Sequence, residues 1–320
     1  MARYVVRRLL WGVVLLALVS LVTFVLFYVL PSGDPAQLRA GRHASPETVA
    51  QIRRALGLDE PLWTQYWRFL KGLVLHFDLG YSYYSGAPVT SLIADRLPAT
   101  LSLALGAVVL WVLIGTPIAI VAALRPRSWL DRLLMGGALV AISAPVYWVG
   151  LLALYLLADD IGALPLLPGA GSYVPLTEDP VRWLGSLVLP WLVLAGAFAA
   201  AYARLLRARL IEALGEDHVR MARAKGLPER RVVLRHGVRT ALAPVVTAAG
   251  MELGLLLGGA VLVETVFNVP GIGRLNYDAI VHADLPVIQG TVLLAALAVV
   301  VTSIAVDVAY ALLDPRVRLN

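Results

Sequence analysis

Three carboxylates stand inside or at the edge of long apolar runs: Glu252, Glu264 and Asp307. A carboxylate in hydrocarbon costs roughly 2.5–3.5 kcal/mol on insertion scales, so each must face a partner or a water-filled path. Two chemistries suit such residues. They can relay protons, or they can line a translocation path and attract a cationic group. The plainer role is pairing with a neighbouring helix or subunit. Glu264 and Asp307 sit near the ends of their apolar runs and lean to pairing. Glu252 sits near the middle of its run and is balanced between the two.

Other chemistry finds no constellation. His43, His76, His218, His236 and His282 are scattered, and there is no cysteine. No His-Glu-x-x-His run occurs, so neither a metal nor a catalytic triad is expected. The pair Gly271 and Gly273 lacks the strand and third glycine of a dinucleotide fingerprint. The chain has no Gly-Lys dipeptide, hence no P-loop and no ATP hydrolysis of its own. No cofactor is expected.

A second constellation is cationic. Residues 204–244 hold ten of the 27 Lys and Arg residues: Arg204, Arg207, Arg209, Arg220, Arg223, Lys225, Arg230, Arg231, Arg235 and Arg239. Inside this segment Asp217 can cap a short helix, His218–Lys225. A cation in the last turn and Gly226 behind it suit a helix end. Pro228 can then start another helix, Pro228–Thr240. A helix of about eight residues is about 12 Å long and marginal alone in water, so it needs a surface to pack on. Val219, Ala222 and Ala224 leave a small, smooth face for a groove in a cytosolic partner. The bland alternative is a basic loop resting on anionic headgroups.

The elements that position these groups follow from hydropathy. The chain is 59% hydrophobic with a mean hydropathy of +0.78, and only 15% is charged. A typical soluble domain is about 25% charged, so this is an integral membrane protein. Net charge +6 and pI near 9.7 would suggest nucleic acid in a soluble protein. Here membrane topology explains the excess, and no nucleic acid is expected.

Leu9–Leu30 is uncharged and about 33 Å long as helix, enough to span. It is too long for the apolar core of a signal peptide and lacks a small-x-small ending, so a retained span is expected. Residues 31–97 form a polar to amphipathic insertion. In it, Ser45-Pro46-Glu47 reads as a helix start and Gly57 as its stop. Pro61–Phe77 is an aromatic helix suited to a membrane interface, and Gly80 to Pro88 reads as loop. Further spans are expected at Ala99–Leu124, Leu133–Ala158 (kinked at Pro145), Leu187–Leu206, Val245–Val266 and Thr291–Leu313. Small residues at Ala195, Gly196, Ala197, Ala199, Ala200 and Ala201 predict close packing of the fourth. Phe267–Gln289 is expected to be an outer loop.

Charge sets the orientation. With both ends inside, the inner segments carry eighteen Lys and Arg against six acids, and the outer segments nine against twelve. Cytoplasmic loops gather Lys and Arg, so the ends face the cytoplasm. The expected fold is all-α and membrane-integral: six spans, N-in and C-in, with an outer insertion after span 1 and the basic loop inside, between spans 4 and 5. Residues 1–320 form one domain that includes both insertions.

Arg220-Met-Ala-Arg-Ala-Lys-Gly226, with Pro244 eighteen residues beyond the glycine, resembles the cytoplasmic "EAA" loop of ABC importer permeases. The usual Glu-Ala-Ala start is Arg220-Met221-Ala222 here, and His218 takes a position often held by tyrosine. The histidine is a departure, but the Arg220 start and the residues after it are similar to the dipeptide/oligopeptide permease B branch. So are Leu79-Gly-Tyr-Ser82, Arg96-Leu-Pro-Ala-Thr-Leu101, Val263-Glu-Thr-Val-Phe-Asn-Val-Pro-Gly-Ile-Gly273, Asp307-Val-Ala-Tyr310 and Asp314-Pro-Arg-Val-Arg318. Phe77 stands where that branch commonly has glycine, and Ser303 where it often has asparagine.

The resemblance implies an ATP-driven importer of short peptides, with nickel, glutathione or opines as other substrates of the same branch. It implies that Asp217, His218, Val219, Arg220, Ala222, Arg223, Ala224, Lys225, Gly226 and Leu227 form a coupling helix that docks an ATPase. Expected partners are a second, homologous permease subunit, two cytosolic ATPases, an extracytoplasmic substrate-binding protein and membrane lipid. The expected location is the bacterial inner membrane. A proton-coupled secondary transporter is the alternative; the lack of an inverted repeat stands against it. A membrane-embedded enzyme finds no supporting constellation.

Overall fold

The computed structural model describes residues 2–29, 34–41 and 44–313, and contains no strand among them. Motif residues Asp314–Arg318, and His43, lie outside the described residues. The helices are α1 (Ala2–Phe24, running on as a π turn to Val29), α2 (Pro35–Ala40), α3 (Pro46–Leu56), α4 (Leu62–His76), α5 (Val89–Leu124), α6 (Trp129–Ser143) and α7 (Val146–Leu157). They continue as α8 (Pro180–Leu214), α9 (Asp217–Ala224), α10 (Glu229–Arg231, followed by a π segment Val232–Val238), α11 (Arg239–Leu257), α12 (Val261–Val266), α13 (Ile272–Val281) and α14 (Leu285–Leu313).

Four helical stretches are long and apolar enough to cross a membrane: Val6–Phe27, Val89–Leu124, Pro180–Leu214 and Leu285–Val308. Two bent pairs raise the number to as many as six. One is α6 with α7, which meet at 101° across Ala144-Pro145. The expected kink is therefore a break, because a proline removes the donor and clashes with the preceding turn. The other pair bends by 54° between Leu242 and Val245.

Several spans differ from their expected bounds. Helix α5 starts ten residues early, at Val89, and carries Pro98 inside it. The polar look of Asp95-Arg96 is overridden by packing: Val89 and Ile93 are buried against Ile272, Leu275, Ala279 and Val287. Helix α8 exceeds its apolar stretch at both ends. Asp179 caps its start, accepting from the backbone N–H groups of Val181 and Arg182. Beyond Leu206 it stays helical because Leu206, Leu210 and Ala213 form one buried stripe against Val233, Val238 and Ala241. The expected fifth span, Val245–Val266, is interrupted at Gly258-Gly259. The expected outer loop 267–289 holds α13 and the first turn of α14.

Helix α8 is the hub, packing on α5, α6, α7 and α11. The approach to α5 is close, although of the expected small residues Gly196 and Ala201 are exposed and Gly196 faces open space. Ala195 and Ala199 are buried, and Trp191 lies so near Gly106 that a Cβ there would come within 2.0 Å of its ring. Trp191 Nε1 donates to the Ser102 carbonyl at 3.0 Å. A second close pair is α11 and α14. Gly250, Gly254 and Gly258 recur every fourth residue on α11 and face Val306, Val299 and Ala295 of α14. A Cβ at Gly250 would fall 1.8 Å from Val306 Cγ2. Small residues at this spacing let two helices pack in lipid, where no hydrophobic force draws them together.

Candidate functional site

The short helix in the basic segment is real, with shifted ends. Glu216, not Asp217, occupies the cap position and makes no side-chain cap bond. Asp217 is instead the first helical residue, where its charge favours the positive end of the helix. Its carboxylate lies 3.5 Å from Arg220 Nη1, and His218 Nδ1 lies 3.1 Å from Glu216. Lys225 follows the last helical residue, and Gly226 takes φ +75°, the left-handed stop. The Gly226 N–H donates to Arg223 O at 2.9 Å, and the Leu227 N–H to Ala222 O at 3.4 Å. Leu227 then tucks beneath the helix.

The face of α9 is the reverse of the one expected. Val219 and Ala222 point inward, buried on Val232 with Leu214 and Leu227 beside them. The outward surface carries His218, Arg220, Met221, Ala224 and Lys225. Met221, left out of the expected contact set, is its large apolar side chain and is 57% exposed. Helical spacing holds the signal: Val219 and Ala222 are three apart and share a face, which turns Met221 away.

Helix α9 is braced on both sides. Arg223 donates to both Glu229 oxygens, at 3.1 and 2.7 Å, and to the Leu214 carbonyl at 3.3 Å. The hydrogen bond to Glu229 raises the Arg223 guanidinium further above its usual range. The helix expected over Pro228–Thr240 has no end at Thr240. It runs through the π segment into α11, and Gly237 there lies so close to α8 that a Cβ would meet Leu214 at 2.8 Å. Helix α9 thus joins two long helices, α8 and α11, with little slack on either side.

The α8 extension is held from a second direction. Asp131, at the start of α6, is buried and receives Arg207 Nε at 2.7 Å and Nη2 at 2.6 Å. The Arg127 N–H also donates to it, at 2.8 Å. Sequence reasoning counted Asp131 only as one acid in a basic turn.

The three candidate acids are not brought together. Glu264 on α12 is completely buried. It accepts from the Thr100 hydroxyl at 2.8 Å and from the Arg274 N–H at 2.9 Å, and Thr100 in turn accepts from the Ile272 N–H at 2.8 Å. Its carboxylate thus caps the start of α13 and pins it to α5. The room is tight: a Cβ on Gly271 would come within 2.2 Å of the Glu264 carboxyl carbon. Asp307 on α14 pairs with Arg8 Nε of α1 at 2.6 Å. Glu252 on α11 is exposed and has no hydrogen bond or ion pair among the described residues. It edges a small cavity between α5, α8 and α11, with Trp111, Phe198, Tyr202 and Val245 in its walls.

One buried acid escaped the sequence reading. Asp284, between α13 and α14, accepts from the Ser82 hydroxyl and from the Tyr83 N–H at 2.9 Å. The Leu79–Ser82 motif is therefore a latch that closes the insertion onto the start of α14.

Comparison with known proteins places the chain in a family. Residues 115–319 match the family described as binding-protein-dependent transport system inner membrane component, and residues 1–104 match its N-terminal companion. A Brucella abortus (strain 2308) protein, provisionally named a peptide transport system permease protein, is 41% identical over 99% of both chains. The glutathione transport system permease protein GsiC of Salmonella paratyphi A is 42% identical over 99% of both chains. A solved amino acid ABC transporter covers 71% of this chain and 95% of its own at 19% identity and a TM-score of 0.47, too slight a likeness to argue from. The chain belongs to the binding-protein-dependent transport system inner membrane component family: it is a multi-pass permease subunit of an ABC importer in the inner membrane.

Proposed function

We propose that this subunit forms half of the translocation pathway for short peptides, glutathione-like tripeptides included, and takes its power from separate ATPases. The substrate class rests on the names of the two relatives, which share 41% and 42% of its residues over nearly the whole length. Nickel and opines are the further options of the branch. Membership in an ABC permease family favours ATP drive over the proton-coupled alternative.

The chain acts as one permease domain, 1–320. Six spans, with α6–α7 counted as one and the fifth taken from Val245 on α11, leave both ends in the cytoplasm, residues 31–97 outside and residues 204–244 inside. A homologous permease completes the pathway, two cytosolic ATPases dock below, and a binding protein delivers substrate from outside. Alternating access then follows: ATP closes the ATPase pair, α9 moves, and α8 and α11 carry that movement into the spans. Glu264 and Asp307 hold helices together in the described conformation. Glu252 is the acid placed to meet a peptide ammonium group.

The observation that carries the proposal is α9 itself. It is short, ended by a left-handed glycine, buried on one face, open on the other, and continuous through α8 and α11 with the long apolar helices. Gly226 has φ +75° and nothing within 4 Å of where a Cβ would stand, so a side chain there strains the left-handed backbone but touches no other atom of this chain. Gly226→Phe should abolish uptake while membrane insertion stays normal. Gly226→Asn tolerates the left-handed backbone and should retain part of the activity. Full uptake by the Phe variant would sink the docking role.

A further inference from the structure

Helix α4 leaves an apolar stripe without a partner among the described residues. Trp63, Trp67 and Val74 fall on one face of it and are 75%, 64% and 62% exposed; Phe77, just past its end, is 78% exposed. Phe77 also holds φ +51°, a backbone that disfavours any residue with a Cβ. The opposite face is polar and engaged. Gln65 donates to the Leu58 and Glu60 carbonyls, and Arg68 pairs with Glu60 at 2.5 Å. In water this arrangement is doubly unfavourable, since it combines backbone strain with four exposed apolar side chains. Such a stripe marks an interaction surface.

The contacts of α4 indicate what covers it. Helix α4 is fixed to one end of the α1 span. The Tyr66 hydroxyl lies 2.9 Å from Ser20 Oγ, and the rings of Tyr66 and Phe69 lie 5.3 and 6.4 Å from that of Phe24. Phe24 and Ser20 are buried by this contact, while the rest of α1 presents exposed apolar side chains such as Leu10, Trp11, Val14 and Leu18. The stripe therefore continues an apolar surface already suited to hydrocarbon. Two tryptophans on one face, with exposed Lys71 one turn beyond Trp67 to reach the headgroups and Arg68 toward the polar side, are the composition of an interfacial helix.

We propose that α4 lies in the headgroup–acyl boundary of the bilayer, with Trp63, Trp67, Val74 and Phe77 buried in lipid, and that it anchors the adjoining end of α1. The anchor extends further. Six residues past His76, Ser82 is held by Asp284 at the start of α14. One lipid-seated helix thus positions the ends of two spans. The inference does not depend on which leaflet is involved, nor on the docking role of α9.

The chain has no cysteine, so a single introduced one can be labelled cleanly within this subunit. Trp67→Cys, Val74→Cys and the water-facing control Glu47→Cys should each be made in the full chain. Each is assembled with cysteine-free partner subunits, spin-labelled and reconstituted in liposomes. At positions 67 and 74, collision with oxygen should exceed collision with an aqueous nickel chelate several-fold, and position 47 should show the reverse. If the chelate reaches 74 as readily as 47, the stripe lies in water and the proposal fails. If labels at 67 and 74 are immobile and reached by neither collider, a protein surface covers the stripe, and the proposal fails equally. Should Trp67→Cys not assemble, quenching of native tryptophans by brominated lipid decides the matter. Trp63→Phe with Trp67→Phe should remove part of the quenched fluorescence; an unchanged quenched component overturns the proposal.

Discussion

Asp131 and Arg207 meet in a two-pronged ion pair, Nε at 2.7 Å from one carboxylate oxygen and Nη2 at 2.6 Å from the other. The pair ties the start of α6 to the part of α8 that leads into α9. It fixes the base of α6 against the extension of α8 that precedes α9.

Removing one partner of such a pair strands a buried charge, at a cost of about 3 kcal/mol when the other partner keeps some solvent contact. Asp131→Ala should therefore lower the thermal stability of the purified complex and reduce uptake. Exchanging the residues, Asp131→Arg with Arg207→Asp, should not restore either. The Arg127 N–H is aimed at the carboxylate at position 131 and would confront a cation instead. Full rescue by the exchange would mean that charge alone matters at this joint.

Glu264 receives only donors, from the Thr100 hydroxyl and the Arg274 N–H. Glu264→Gln keeps the shape but turns an amide NH2 toward one of them, a mismatch of about 1–3 kcal/mol in a buried site. Thermal unfolding in detergent should show the loss, and Thr100→Val should show a similar one. A Gln variant of normal stability with altered substrate preference would instead place Glu264 on the transport path.

Glu252 is exposed beside an aromatic-walled cavity and has no partner among the described residues. Glu252→Gln should weaken uptake of peptides with a free amino terminus more than uptake of N-acetylated ones. Equal uptake of both, at the native rate, would return it to a structural role.

Asp284→Ala should release the Ser82–Tyr84 turn, since that carboxylate accepts from Ser82, Tyr83 and Tyr84. Limited proteolysis of the reconstituted complex should then cut between residues 78 and 88 faster than in the native protein. An unchanged cleavage pattern would show that the latch is dispensable.

Local signals were legible where the chain supplies its own punctuation. Ser45 caps α3 and Gly57 ends it in the left-handed conformation; Gly226 ends the short helix in the same way. Apolar runs located the four long apolar helices and the two bent pairs, because hydrocarbon demands such runs. What could not be read depends on contacts distant in sequence. Helix α5 begins at Val89 because α13 and α14 cover it, and α8 persists to Leu214 because residues 233–241 cover it. Asp131, Asp284 and the Gly250–Gly254–Gly258 stripe carry meaning only once their partners 76, 202 or about 50 residues away are in place. The inward turn of Val219 and Ala222 was within reach of spacing alone. The smallness of these residues suggested a docking face, but burial on Val232 decides where they point.

The central claim is that the exposed face of α9 meets an ATPase. Met221→Cys would be the chain's single cysteine, and it projects from that face. In the assembled complex it should crosslink to the ATPase subunit through a short bifunctional reagent, and the yield should change when ATP is bound. A Met221→Cys residue that stays freely reactive and gives no ATPase adduct would contradict the account.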